Sequence, residues 1–446
     1  MEMLKIVFIG AGSHFGATSF VDMMSFEELR DSEVALVDNN PAHLEPVAAY
    51  AHKVADHYKA PTRITTFENW RDPAVLDGAD FDITSFAHGG LAYSSRAYHN
   101  DITIPLKYGV QSTVADTIGF GGIMRMLRTG PELLAVGRAM ERQSPKAVLI
   151  NYVNPMSMLT RALCLGATRI RTYGLCHSIQ GGIREIAHYI GCKHKDLRFT
   201  AAGVNHLCWY LRVEYLDGRD AYPDLLRAAE NPANYRRCGS KFELLKQFGY
   251  WSGEGPTHVA EYVPYFMPRD EDRESIFAPK RTPPPISENS SPRWGSTSEL
   301  VQQLRGERPL DLVRSSEYGV HIIHAAVTDN VYRMHLNLQN NGLITNFPDD
   351  YCVEVGCTAD RTGISGRPVG RMPVQVAALS RAMADMQTLA SDGLLENDLN
   401  KVCQAAMLDP LVAACARPQR LRECFNELLA TERDLLEPYW GKNLRV

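Results

Sequence analysis

Short apolar runs alternate with helical repeats along the first half of the chain. Lys5–Gly10, Glu33–Asp38, Phe81–Phe86, Lys146–Asn151 and Arg171–Cys176 are rich in β-branched or aromatic residues and flanked by polar residues or glycine, as buried strands are. Between them Pro41–Tyr58 and Arg125–Gln143 repeat apolar residues at helical spacing. This alternation predicts an α/β fold with a parallel sheet and crossover helices. The second half has a different grain. His206–Leu216 and Asn330–Gln339 read as antiparallel strands, and Val374–Ala390 and Leu421–Leu436 as long helices. Ala278–Ser296, rich in proline and serine, reads as a loop or flap. The seam falls near residue 200, so a parallel-sheet domain over 1–200 and an α+β domain over 201–446 are expected.

Composition narrows the function classes. The chain has 446 residues, 45% hydrophobic and 22% charged, with a formal net charge of −5. No long basic run occurs, which argues against a nucleic-acid partner. No apolar run reaches the ~18 residues of a membrane helix. The first apolar run breaks into glycines and makes a poor signal peptide. Ten cysteines in a chain of this length show neither paired CxxC spacing nor a disulfide framework, so a reduced, cytoplasmic protein is expected. The apolar helices late in the chain suggest a homodimer or homotetramer.

The first strand runs into GAGSHFG. Gly10 and Gly12 fit the first two glycines of a dinucleotide fingerprint; the third place is Phe15, with Gly16 one residue later. A missing Cβ at Gly10 permits the tight turn, and at Gly12 the backbone can approach a pyrophosphate lying at a helix N-terminus, next to Ser13. Asp38, at the end of the next strand, is placed for the adenosine ribose hydroxyls. Asn39 and Asn40 follow with no arginine for a 2′-phosphate, which favours NAD over NADP. The first domain is therefore expected to be Rossmann-type. A flavin or nucleoside diphosphate is the competing ligand.

Further polar groups fall at strand ends on the same expected face. Asn154 precedes Pro155 and reads either as a helix cap or as an amide for a sugar hydroxyl. Cys176, His177 and Ser178 close the next strand, and Asn205 and His206 follow after one more helix and strand. Alone, Cys176 and His206 read as a buried thiol and a hydrogen-bonded histidine. Beside a nucleotide site, a thiolate and an imidazole can also hold a divalent metal with positions left open for substrate.

The motifs FIGAGS, DTIGFGGIMRMLRT, INYVNPM, GLCHSIQG, GVNH, HVAEY, NGLITNFP and CVEVGC occur in this order. Together they resemble the NAD- and metal-dependent glycosidases of glycoside hydrolase family 4, over residues 5 to about 410, and most of all its bacterial α-galactosidases. The resemblance implies a fold like that of lactate and malate dehydrogenases, with NAD and a divalent metal, usually Mn2+, as cofactors. It also implies a cycle of oxidation at sugar C3, deprotonation at C2, elimination at C1, water addition and re-reduction. By the same resemblance Cys176 and His206 are the metal ligands and Tyr262 is the base. Its ordinary pKa near ~10 would have to be lowered by a cation. For the acid, His177 and Asp116 compete. Arg125 and Arg128, one turn apart, are expected at substrate, cofactor or solvent, with Arg125, Asn154 and Asn205 as candidate sugar contacts.

His177 and Ser178 after the cysteine resemble the α-galactosidase version of the motif. Phosphorylated-glucoside members tend to carry Asp or Asn there, and uronide-releasing members (α-galacturonidase, α-glucuronidase) are the nearer alternative. Phe120 and Val259 depart from the α-galactosidase pattern, at proline and phenylalanine positions respectively. From other classes, a lactate- or malate-type NAD dehydrogenase and a nucleotide-sensing module compete.

Overall fold

The computed structural model describes residues 3–89, 95–278 and 297–446. The strands are β1 (Leu4–Ile9), β2 (Ser32–Val37), β3 (Arg63–Phe67), β4 (Phe81–Thr84), β5 (Val148–Asn151), β6 (Arg171–Gly174), β7 (Leu197–Val204), β8 (Leu207–Tyr215), β9 (Trp251–Ser252), β10 (Tyr332–Gln339), β11 (Cys352–Asp360) and β12 (Gly363–Gly366). They join in one sheet in the order β3-β2-β1-β4-β5-β6-β10-β11-β7-β8-β9, with β12 on β11.

The first six strands are parallel, in the order 3-2-1-4-5-6 of a Rossmann fold. The α/β class and the parallel sheet are as the alternation predicts. The inner strands are mostly apolar because helices cover both faces, with Lys5, Asp82 and Asn151 buried among them. β3, at the edge, is mostly exposed; its polar sequence RITTF gave no buried-strand signal. From β10 onward the pairing is antiparallel. β10 meets β6 at one register pair, Asn337 opposite Gly174. A Cβ on Gly174 would lie 2.4 Å from Thr160 Oγ1 and 3.0 Å from Asn337 Cβ, so only glycine allows this approach.

The helix Pro41–Tyr58 has the predicted bounds. The Asn40 side chain accepts from Ala42 N–H and Pro41 occupies the first turn, where its fixed φ costs nothing. Three helices differ from expectation. Val374–Glu396 runs past the expected end at Ala390, and the helix through Arg125 begins at Gly119. Its first turns are glycine-rich, and Cβ atoms on Gly121 and Gly122 would fall within 2.3 Å of Ala115 O and Thr117 C. The stretch expected as one helix, Leu421–Leu436, is two, Pro418–Thr431 and Arg433–Trp440, parted at Glu432. Glu432 is buried against Arg128, a long-range contact that local periodicity does not register.

All ten cysteines are free thiols. Among the described residues no helix is long and apolar enough to cross a membrane. Of the expected flap Ala278–Ser296, residues 279–296 lie outside the described residues.

Candidate active site

Chain direction puts the ends of β1, β4, β5 and β6 along one edge of the parallel sheet, where ligands of open α/β sheets bind. At that edge β1 turns through Gly10 at φ +90°, and a Cβ there would sit 2.3 Å from the Ser85 carbonyl oxygen. A Cβ on Gly12 would meet Asp38 Cγ at 2.7 Å. Instead the Gly12 N–H donates to Asp38 Oδ2 at 3.0 Å, and Asn40 N–H to Oδ1 at 2.9 Å. Ser13 caps the helix His14–Met24, accepting from Gly16 N–H at 3.4 Å and donating to Gly10 O at 3.2 Å. A Cβ on Gly16 would lie 2.2 Å from Ala11 O, so Gly16 allows the close packing that the fingerprint assigns to its third glycine. Phe15, which displaced that glycine, lies against the Tyr152 ring at 4.4 Å. Asn39 is exposed beside Asp38. The loop is thus a backbone-lined cradle that side chains would fill, as a dinucleotide pyrophosphate requires.

Two residues beyond β6 lies Cys176. His206 sits in the tight turn between β7 and β8, and Glu254 follows β9, just before the helix Pro256–Tyr262. One donor atom from each of the three lies within 4.8 Å of the other two. His206 Nδ1 is 3.0 Å from the Tyr262 hydroxyl, and its Nε2 faces Glu254 Oε2 at 3.8 Å. Burial, with the Glu354 and Glu254 charges behind it, pushes the Cys176 thiol up to about 12. A thiolate here therefore requires a cation, and thiolate, imidazole and carboxylate are a donor set for a divalent transition metal. Burial opposes ionisation of Glu254, but the charges of His206 and His258 outweigh it and hold the carboxyl below its usual range.

His258 and Asp116 complete the polar wall. His258 Nε2 lies 3.7 Å from Asp116 Oδ1, and its Nδ1 4.0 Å from Glu254 Oε1. Thr117 donates to Asp116 Oδ1 at 2.8 Å, and Arg125 Nη1 lies 3.8 Å from Oδ2. Against burial, His258 and then Arg125 hold the Asp116 carboxyl well below the usual range, and Asp116 raises His258 against the same opposition. Glu261, fully buried, accepts from the Thr113 and Val114 N–H groups at 2.8 and 2.9 Å and pins this loop to the helix Pro256–Tyr262. Burial, then Asp116 and Glu261, raise Tyr262 well above its ordinary value, so without a cation it is a phenol.

The remaining expected residues spread around this cluster. His177 is exposed, its Nδ1 3.5 Å from Glu317 Oε1, and that contact chiefly raises its pKa to about 9. Ser178 is buried. Asn154 is half-buried; the cap position of the next helix belongs to Pro155, so Asn154 is not the cap. Asn205 is fully buried and donates from Nδ2 to Glu354 Oε2 at 3.1 Å, while Gln387 Nε2 donates to its carbonyl at 2.7 Å. Asn205 Oδ1 and Glu354 Oε1 are buried without a hydrogen-bond partner. Arg128 contacts neither cluster nor solvent: it is buried, paired with Asp101 and Glu432.

Glu254, His258 and Glu354 are absent from the sequence reading. Glu254, His258 and Tyr262 recur every fourth residue, a spacing that would have flagged the first two. Glu354 lies on β11, and only the antiparallel pairing brings it behind Asn205.

Comparison with known proteins extends this geometry. Residues 5–192 match the family described as Family 4 glycosyl hydrolase, and residues 201–412 the Family 4 glycosyl hydrolase C-terminal domain. An alpha-galactosidase of Bacillus subtilis is 34% identical over 98% of this chain and 100% of its own length. Another, of Rhizobium meliloti, is 33% identical over 98% of this chain and 90% of its own. A putative glucosidase of Bacillus subtilis superposes with a TM-score of 0.83 at 25% identity, covering 96% of this chain and 100% of the other. A 6-phospho-alpha-glucosidase from gut microorganisms, solved with NAD and Mn2+, has a TM-score of 0.77 at 18% identity, covering 97% and 99% of the two chains. A dinucleotide-type glycine loop and a buried thiol–imidazole–carboxylate cluster at one sheet edge, on a chain matched from end to end, place the protein in glycosyl hydrolase family 4.

Proposed function

We propose that the protein hydrolyses α-galactosides with NAD and a divalent cation, Mn2+ in this reading. The carrying observation is the convergence of Cys176, His206 and Glu254 at the edge that also bears the Gly10–Gly12 loop. The α-galactosidase relatives are 34% and 33% identical to this chain, against 27% and 26% for alpha-galacturonidases that also span nearly all of it, which favours the galactoside over other α-glycosides.

Gly10, Gly12 and Ser13 cradle the pyrophosphate, and Asp38 and Asn39 receive the adenosine ribose; both Asp38 oxygens keep lone pairs beyond their backbone bonds. Cys176 and His206 would hold the cation, with the Tyr262 hydroxyl fixing the ring through Nδ1. When bound, the dinucleotide supplies a hydride acceptor and donor for sugar C3, and the cation Lewis-acid polarisation of the sugar oxygens. Tyr262 takes the proton from C2, which the C3 ketone has made acidic. The C1–O bond then breaks by elimination and water adds at C1. His177, at the exposed mouth, and Asp116, within the His258–Arg125 network, manage the proton on the leaving oxygen. Asn154 and Arg125 line the sugar site; Asn205, fully buried, does not reach it directly and instead holds Glu354 behind it. A reduced Cys176 among ten free thiols suits a reducing cytoplasm.

Hydrolysis of p-nitrophenyl α-galactoside is expected only with NAD and Mn2+ together, and product formed in D2O carries deuterium at C2. Galactose without deuterium at C2 would remove the elimination step, and NADH accumulating in proportion to substrate would make the protein a plain dehydrogenase. Faster cleavage of the matching galacturonide would move the substrate to the uronides.

A further inference from the structure

A second cleft lies on the antiparallel strands. It has a volume of about 700 Å3 and is lined from β7, β8, β10 and β11, by Gln180 of the helix Ser178–Ile190 and by Arg367 just beyond β12, within the size range of small-molecule pockets. None of the residues assigned above to the dinucleotide, the cation or the sugar lines it. Its charge is one-sided: Arg198, Arg212, Arg333 and Arg367 face it with a single carboxylate, Glu214, in a chain whose net charge is −5. That carboxylate is already committed, accepting from Arg212 through both oxygens at 2.6 and 2.7 Å. Among the described residues Arg198, Arg333 and Arg367 form no ion pair.

Between the arginines lie two rings, Phe199 and His335. The Phe199 ring stacks on His335, centroids 5.5 Å apart and planes 14° from parallel. Burial, with Arg367 adding, holds His335 down to about 4, so at neutral pH the positive charge comes from the guanidinium groups alone.

We propose that this cleft binds a small polyanion, a molecule carrying two or more phosphate or carboxylate groups on a ring-sized frame. Guanidinium groups bind such oxyanions through paired, charge-assisted hydrogen bonds, and the stacked pair suits a ring between the anionic ends. Charge decides against the other occupant of an open sheet face, a second copy in two-fold contact, because that contact would set arginines against arginines. The inference goes beyond the glycosidase reading and stands without it.

Titration calorimetry on the whole protein, saturated with NAD and Mn2+ so that the catalytic groove is occupied, tests it with two probes: trimesate for carboxylates and fructose 1,6-bisphosphate for phosphates. At least one binds, with an affinity that falls as salt rises. Which one binds names the anion class. Arg333→Glu with Arg367→Glu weakens binding by about tenfold or more and leaves NAD affinity unchanged. If that pair fails to fold, Arg333→Gln and Arg367→Gln are each expected to weaken it to a smaller degree. Failure of both probes to bind, equal affinity in the variants, or burial of this face between copies in solution would overturn the proposal.

Discussion

Two buried ionic clusters lie in this molecule, and they are finished to different degrees. In the first, Arg128 takes Asp101 through two bonds of 3.0 and 2.7 Å and Glu432 through a third contact. Arg128 meets both carboxyl groups directly and ties the helices Arg96–Lys107 and Gly119–Gln143 to the helix break at Glu432. The second cluster, Cys176, His206 and Glu254, brings donors within 4.8 Å of one another with no cation of the chain's own among them. Its thiol is held protonated by burial and by the carboxylates around it; unpartnered polar atoms occur in both clusters, Asn205 Oδ1 and Glu354 Oε1 behind this one and Arg128 Nε and Glu432 Oε1 in the first, so the missing cation is what separates them. Burial alone therefore does not mark function. A closed cluster stabilises a fold, and an open one, at the ligand edge of a sheet, is built around something the chain does not supply.

Breaking each cluster separates these roles. Cys176→Ser has the largest expected effect: Mn2+ affinity falls by more than about a hundredfold and hydrolysis of the α-galactoside disappears, while the unfolding midpoint stays in place. Metal titration and calorimetric melting read the two halves of that statement. Arg128→Met does the reverse. It leaves two carboxylates buried without their cation and costs about 3–5 kcal/mol of stability, measured by urea unfolding, while NAD affinity is retained in the fraction that stays folded. Gly12→Ala places a methyl 2.7 Å from Asp38 Cγ and 2.9 Å from His43 Cβ, and is expected to raise the NAD dissociation constant about tenfold, some 1.4 kcal/mol.

The smallest effect is a slope. Burial, with the Asp101 charge, lifts Glu432 from 4.5 to about 8 against the pull of Arg128. The unfolded chain loses this proton near 4.5 and the folded chain keeps it to about 8, so stability falls as pH rises through that window. Glu432→Gln should flatten the fall, as read from urea midpoints across the window. An unchanged slope would mean that the two carboxylates do not share a proton.

What the sequence revealed follows the range of the interactions. The glycine loop was legible because its parts are local: a buried strand, Gly10 and Gly12, and an acidic end to the next strand. Pro41–Tyr58 was legible for the same reason, with Asn40 and Pro41 marking its start. The cysteine and histidine were singled out by strand ends, and by motif order for their roles. Contacts from far along the chain were not legible. The start of the helix at Gly119 rather than Arg125 shows only once the Ala115–Thr117 backbone is seen packed against Gly121 and Gly122. Glu432 reads as a helical surface residue until Arg128 is seen beneath it. Glu354 is one alternating position in a strand until β11 is placed beside β7.

Gly174 carries a mechanical consequence. Through it the parallel and antiparallel strands share one hydrogen-bonded ladder, with Asn337 directly across. Cys176 stands two residues past this crossing, and the strand leading to His206 is tied in through β11. The spacing of nucleotide cradle and cation pocket therefore hangs on one backbone pairing, and a side chain at 174 would wedge the two sets of strands apart against Thr160 and Asn337.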